Sequence, residues 1–158
     1  MKRTVTALLA LCLLLCGCSK SEPESVHIPN PWSDHATLVE AEEAAGFELG
    51  ISTQFGTFRA EVFRTMGGLL EVIYKNSNGP ELRIRKSAGE GQDISGDYSN
   101  YAHISTEEIK GMQITLKSDG EARLISISGA GYSWSVSARS GFGDTSADEI
   151  IAAITARI

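Results

Sequence analysis

Glu81-Leu82-Arg83-Ile84-Arg85 alternates polar and apolar side chains without a break. Successive side chains of an extended chain point to opposite faces. Leu82 and Ile84 are therefore expected inward, with Glu81, Arg83 and Arg85 outward. Met112-Gln113-Ile114-Thr115-Leu116-Lys117 repeats the period, and so does Tyr132-Ser133-Trp134-Ser135-Val136-Ser137. A period of two held over a strand's length marks a sheet with one face buried and one wet. The run from Leu69 to Tyr74 is apolar at most positions and reads as a more central strand.

Working outward, turn signals separate these runs: Gly67-Gly68, Asn78-Gly79, Lys110-Gly111, Asp119-Gly120 and Gly129-Ala130-Gly131. Asn-Gly and Asp-Gly accept positive φ at low cost and favour hairpin turns whose twist matches the strands. Short links make consecutive strands antiparallel neighbours. On the N-terminal side, Thr37-Leu38-Val39-Glu40 has the form of a capping box. Leu38, Ala41 and Ala45 follow at helical spacing, and Gly46 suits a left-handed C-cap, which predicts a short helix over about 37–45. On the C-terminal side, Ser146-Ala147-Asp148-Glu149 is a second such box. Ala147, Ile150, Ile151, Ile154 and Ile158 mark one helical face beyond it. The expected fold is α+β: an antiparallel meander sheet of about 6–8 strands, with the short N-terminal helix and the amphipathic C-terminal helix packed on one face.

The start of the chain has another character. Met1-Lys2-Arg3 is a short positive segment, and Val5 to Leu15 is an apolar run broken only by Thr6. That run falls short of the ~20 residues a spanning helix needs and matches the hydrophobic region of a signal peptide. Leu15-Cys16-Gly17-Cys18 follows. A Leu three positions before a Cys, with Gly directly before it, resembles the lipobox of bacterial lipoproteins. The resemblance implies cleavage after Gly17 and a lipid on the Cys18 thiol. Cys16 is the competing position, but it would place bulky Leu15 at the cut. A plain secretory signal with a chance cysteine and an uncleaved anchor are the simpler alternatives.

The expected organisation is a signal peptide at 1–17, a lipidated Cys18 with a polar, proline-bearing tether at 18–31, and one domain at 32–158. The three cysteines, Cys12, Cys16 and Cys18, all lie at or before the proposed cut. The folded part then has neither disulfide nor thiolate chemistry and rests on its apolar core. The full chain has fourteen Lys and Arg against twenty Asp and Glu. Loss of Lys2 and Arg3 leaves twelve against twenty, a net −8. An acidic balance argues against nucleic acid as a partner, since phosphate backbones need a basic patch.

Candidate chemistry is sparse. Asp93-Ile94-Ser95-Gly96-Asp97-Tyr98-Ser99 places oxygens at alternate positions, as a calcium loop does. Tyr98 and Ile104, however, stand where the hand motif wants Gly and Glu. His27, His35 and His103 have no partner at metal-binding spacing, so neither a metal nor another cofactor is expected. Glu40, Glu42 and Glu43 offer a carboxylate pair for acid–base work, but on a helix Glu40 and Glu43 share a face expected to point to water, and acids early in a helix complement its dipole. No serine sits in a Gly-x-Ser-x-Gly elbow, and neither Gly89-Glu90-Gly91 nor Gly129-Ala130-Gly131 is a phosphate loop, since both lack the following Lys-Ser/Thr and helix. Trp32, Tyr132 and Trp134 either line a groove or pack in the core. Arg83, Arg85 and Lys86, with Arg59 and Arg64, form a candidate basic stripe on the exposed sheet face. It holds an anionic ligand or pairs with Glu61, Glu71 and Glu81. The segment from Ala88 to Tyr101 is long for a hairpin link, and long loops on rigid scaffolds are frequent recognition sites. Arg83, Arg85, Tyr98 and Tyr101 are therefore the candidate ligand-binding residues.

Several segments carry a family resemblance. Asn30-Pro31-Trp32, then Leu38-Val39-Glu40-Ala41-Glu42 running into Ala45-Gly46-Phe47, are similar to the start of the domain of unknown function numbered 4367, found in exported proteins of clostridia and relatives. Glu71-Val72-Ile73-Tyr74, Leu82-Arg83-Ile84-Arg85-Lys86 and Asp93-Ile94-Ser95-Gly96-Asp97-Tyr98 resemble its middle. The likeness covers nearly all of residues 30–158 and rests on helix and strand signatures that contain no chemistry. It implies sensing or binding at the cell surface and carries no activity with it. The sequence therefore points to an extracytoplasmic, membrane-anchored binding or sensing domain without catalysis. Its expected partners are the bilayer, through the Cys18 acyl anchor, and a small molecule or envelope protein. An envelope hydrolase with scattered site residues and a structural lipoprotein remain the alternatives.

Overall fold

The computed structural model describes residues 30–77, 81–120, 122–142 and 145–156. The lipobox with Cys18, the tether up to residue 29, the Asn78-Gly79 turn and Ile158 lie outside the described residues. Pro31–Ile158 form one compact unit.

The unit is α+β and mostly antiparallel sheet. In chain order its elements are β1 (Ser33–His35), α1 (Leu38–Ala45), β2 (Gln54–Phe55), β3 (Phe58–Met66), β4 (Leu69–Lys75), β5 (Glu81–Ala88), β6 (His103–Ile109), β7 (Met112–Ser118), β8 (Ala122–Gly129), β9 (Tyr132–Ala138) and α2 (Ala147–Thr155). The nine-stranded sheet has the order β1-β3-β4-β5-β9-β8-β7-β6, with β2 paired to β3 off this path. The sequence led to fewer strands because β1 and β2 are too short to show a period.

The meander is interrupted once. Strands β3, β4 and β5 follow one another across the sheet, but β6 lies at the far edge and β9 returns to pair with β5. Every named pair is antiparallel. Tight two-residue turns join β6 to β7 and β8 to β9. In each, both central residues have positive φ: Lys110 and Gly111 in one, Ala130 and Gly131 in the other. Paired positive φ gives these turns the twist of the strands they connect.

Register sorts the sheet into two faces. Leu70, Val72 and Tyr74 stand opposite Lys86, Ile84 and Leu82. Those in turn stand opposite Trp134, Val136 and Ala138, and Ile125 and Ile127 continue the row. The apolar residues of this row belong to one buried cluster, together with Ala41 of α1 and Ile150, Ile151 and Ile154 of α2. Burying each isoleucine contributes roughly 1.5–3 kcal/mol. Tyr74 donates from its hydroxyl to the Ser52 carbonyl at 3.0 Å. Burial, reinforced by the Glu42 charge, pushes its phenol well above the usual range.

Both helices are capped. Thr37 Oγ1 accepts from the Glu40 amide, while the Glu40 carboxylate accepts from the Ala36 amide, one residue outside the cap. Gly46 closes α1 in the left-handed conformation. Ser146 and Glu149 form a complete reciprocal box at the start of α2.

Candidate functional site

The second face of the sheet carries Arg64 on β3, Glu71 on β4, Arg83 and Arg85 on β5, and Ser133, Ser135 and Ser137 on β9. Because β6 sits at the far edge, the chain leaving β5 must cross β9, β8 and β7 to reach it. The serines make room for this crossing. A hydroxymethyl group is short enough for a backbone to approach, and it supplies a donor and acceptor to that backbone. Ser133 Oγ donates to the Gly89 carbonyl at 2.8 Å and accepts from the Gln92 amide at 3.1 Å. Ser128 Oγ accepts from the Gly91 amide at 2.7 Å.

A second fastening comes from Arg85. Its Nη1 donates to the carbonyls of Ile94 and Ser95 at 3.0 and 2.6 Å. Its Nε donates to Glu71 Oε2 at 2.6 Å. Glu71 is fully buried. It also receives Arg64, and Arg83 Nε lies 3.4 Å away. Trp32 lies against the outer side of this cluster, with its ring centroid 4.4 Å from the Arg64 guanidinium carbon and 5.7 Å from that of Arg85. A buried carboxylate among planar guanidinium donors is a strong, directional arrangement, and here it fixes the path of the loop.

Past Ser95 the chain folds on its own side chains. Asp93 Oδ1 accepts from the amide and hydroxyl of Ser95. Asp97 accepts from the Ser99 amide at 2.8 Å and from the Tyr101 hydroxyl at 2.6 Å. The Ser95 bonds hold the Asp93 carboxyl below the usual carboxylate range, and the Tyr101 and Ser99 bonds do the same for Asp97. Tyr98, between them, is 96% exposed.

Between this loop and the β5–β9 strands is an open groove of about 820 Å³. Arg83 and Ser137 line it from the sheet, Tyr98 and Tyr101 from the loop, and Asp119 and Arg139 from its ends. The structure thus brings Arg83, Tyr98 and Tyr101 together. Arg85 does not line the groove; it stands behind it and holds the loop. Arg83 also donates to Glu81 at 3.0 Å, so both arginines are engaged by acids of the sheet.

Lys86 departs from the expected basic stripe. It has the parity of Leu82 and Ile84, so its side chain enters the core face and is buried. Its ammonium sits 4.2 Å from the Tyr132 ring centroid and 5.1 Å from that of Trp134, and it donates to the Glu48 carbonyl. Burial lowers the lysine pKa, against the opposing pull of Glu42 and Glu48.

Among the described residues, no group of three His, Cys, Asp or Glu side chains could hold a metal ion. His35 instead bonds Thr65 Oγ1 at 2.9 Å. No helix among those residues is long and apolar enough to cross a membrane. Glu71, which anchors the loop through Arg85, and the groove residues Ser137, Asp119 and Arg139 were not singled out as site residues by sequence reasoning, whereas Trp32, a candidate groove residue in the sequence, stacks on Arg64 and Arg85 and does not line this groove. The one available signal was the run of serines alternating with Trp134 and Val136, which marks a face that something covers closely. No protein-family model matches the chain, and neither does any curated protein or solved structure.

Proposed function

We propose that this protein is an extracytoplasmic lipoprotein whose folded unit binds a ligand in the groove between the 89–102 segment and the β5–β9 strands, without catalysing a reaction on it. The observation that carries the reading is the double fastening of that segment. Serine hydroxyls and Arg85 hold it over the sheet, so the groove is preformed, as small-molecule sites usually are. In the same reading the two helices cover the opposite face, the chain is a relative of the domain of unknown function numbered 4367, and Cys18 carries the lipid that holds the unit outside a membrane.

One carboxylate of the groove fits a binding role. Asp97 is held below the ordinary carboxylate range by its hydrogen bonds. That suits a permanent acceptor, whereas a general base works best with a pKa near the operating pH.

A thermal-shift ligand screen on the mature chain tests the reading, with Ser137→Phe as the control that fills the groove floor. Ligands that stabilise the wild-type chain and fail to stabilise the variant support it. Ligands that stabilise both equally place binding elsewhere.

A further inference from the structure

We infer that the groove takes a neutral, polyhydroxylated guest, a short pyranose oligosaccharide, with one ring stacked on Tyr98. The inference rests on the binding reading above and names its ligand class.

Charge argues first. Two arginines line the groove, Arg83 and Arg139, against the carboxylates of Glu81, Asp97 and Asp119. Arg83 is already engaged by Glu81 and lies beside Glu71. A phosphate or carboxylate entering here would meet an acidic surplus, and the one groove-lining arginine of β5 already gives Nη2 to Glu81 while its Nε, without a hydrogen-bond partner, is buried beside Glu71, which leaves no open fork for a bidentate anion there. An apolar guest fares no better. It would strip water from hydroxyls, amides and carboxylates and return no hydrogen bonds, at a cost for each group.

A sugar meets both conditions. It is uncharged, and each hydroxyl is at once donor and acceptor, matching a wall that mixes Ser137, Asn100, Asp97 and Arg139. Asp97 uses one oxygen for the Ser99 amide and the other for the Tyr101 hydroxyl. The Ser99 side chain also bonds this carboxylate, so of its roughly four acceptor sites one stays open to a guest hydroxyl without loss of its place in the loop.

Tyr98 supplies the apolar half of the match. A ring 96% exposed at the lip of a preformed groove offers a flat face with a polar tip. One face of a pyranose is a patch of C–H groups of about the same area, and stacking covers both without burying a hydroxyl. The groove's 820 Å³ exceeds what one ring fills, so an oligomer is the better fit.

The test is isothermal titration of the mature chain with neutral trisaccharides (cellotriose, maltotriose, mannotriose and tri-N-acetylchitotriose) beside citrate, inorganic phosphate and putrescine. At least one trisaccharide is expected to bind saturably. Tyr98→Ala should weaken it by about tenfold or more, the loss of a stacking contact, and Ser137→Phe should abolish it. Cosedimentation with insoluble chitin and cellulose separates capture of a wall-borne polymer from capture of a soluble fragment. Binding of citrate, phosphate or putrescine that Ser137→Phe removes, with no trisaccharide binding, overturns the inference and leaves the groove as a binding site. A trisaccharide that binds wild type, Tyr98→Ala and Ser137→Phe alike also overturns it. If none of these probes binds, the saccharide inference fails. The groove reading fails as well if the broader screen then yields no ligand sensitive to Ser137→Phe.

Discussion

Glu71 and Arg85 stand directly opposite one another on β4 and β5, and the guanidinium Nε of Arg85 donates to the fully buried carboxylate at 2.6 Å. The same guanidinium reaches out to the carbonyls of Ile94 and Ser95. One side chain therefore joins the interior of the sheet to the loop that walls the groove. The face that a period-two pattern assigns to water is, at this point, a second and polar interior.

Removing the carboxylate should expose how much rests on it. Glu71→Ala leaves Arg64 and Arg85, whose side chains are 23% and 12% exposed, without their common counter-charge. The expected loss is about 3–5 kcal/mol, the cost typical of breaking a buried ion pair from one side. Urea denaturation measures it. A loss no larger than that of Arg64→Ala alone would show that the cluster is not held through Glu71.

Gly96 makes a narrower test of the loop. It has φ +62, and a Cβ there would lie 2.7 Å from Arg85 Nη1. Gly96→Ala should therefore strain the backbone and push the guanidinium off its two carbonyls. The expected global cost is about 1–2 kcal/mol, with amide exchange quickened in residues 93–99 and unchanged in β7. Uniform loosening of the whole sheet would contradict a local role.

Acid should open the loop before it unfolds the sheet. The carboxyls of Asp93 and Asp97 are depressed in the folded chain. Their contribution is thus fully present above the unfolded carboxylate value of about 4 and is lost as pH falls through the folded values. Protonation removes acceptors from the Ser95 and Ser99 amides and from the Tyr101 hydroxyl. Protection of those two amides should drop in acid while that of Ile84 and Val136 persists. Loss at the same pH for both groups would mean that the loop has no separate transition.

The last helix can be tested with one charge. Ile154 is 3% exposed within the apolar cluster, and Ile154→Asp should cost several kcal/mol, about 3–5 by the usual cost of an unpaired buried charge. Unfolding at an unchanged midpoint would show that α2 contributes nothing to the core.

Anchoring has its own readout. Cys18→Ala should leave the chain without lipid, as an unprocessed precursor or a soluble form, in cell fractionation with a mobility assay. A processed Cys18→Ala chain that still sediments with membrane would rule out lipid on Cys18 as its anchor.

What the sequence made legible follows from which residues face the core. β5, β7 and β9 show their period because Leu82, Ile84, Ile114, Trp134 and Val136 all enter the same cluster. β6 hides because its residues from His103 to Glu108 are exposed on both faces, so no apolar rhythm marks it. Strand order was out of reach, since alternation tells which way a side chain points and not which strand lies beside it. The length of the 88–101 segment and the serines of β9 were the traces of the crossing. The same limit applies to the site. Arg83, Tyr98 and Tyr101 are near in sequence and could be grouped by inspection. Arg139 and Asp119 come to the groove only through the β5–β9 pairing and the β7–β8 turn. Arg85 was noticed for its charge, whereas its position is decided by Glu71 opposite and by two carbonyls on the loop.

The return of β9 to β5 also imposes an order on how the chain can assemble. β3, β4 and β5 can pair as soon as each has emerged, because their links are short. The open edge of β5 must then wait for residues as late as Ala138, the partner of Leu82. Throughout that interval it presents unpaired backbone groups and the apolar Leu82 and Ile84, a surface prone to adopting the wrong strand. Pairings so distant along the chain form slowly. For a chain that emerges N-terminus first, the vulnerable species is therefore a half-sheet ending at β5. Its protection, by a chaperone or by the speed of the β6–β9 meander, sets the yield of the folded protein.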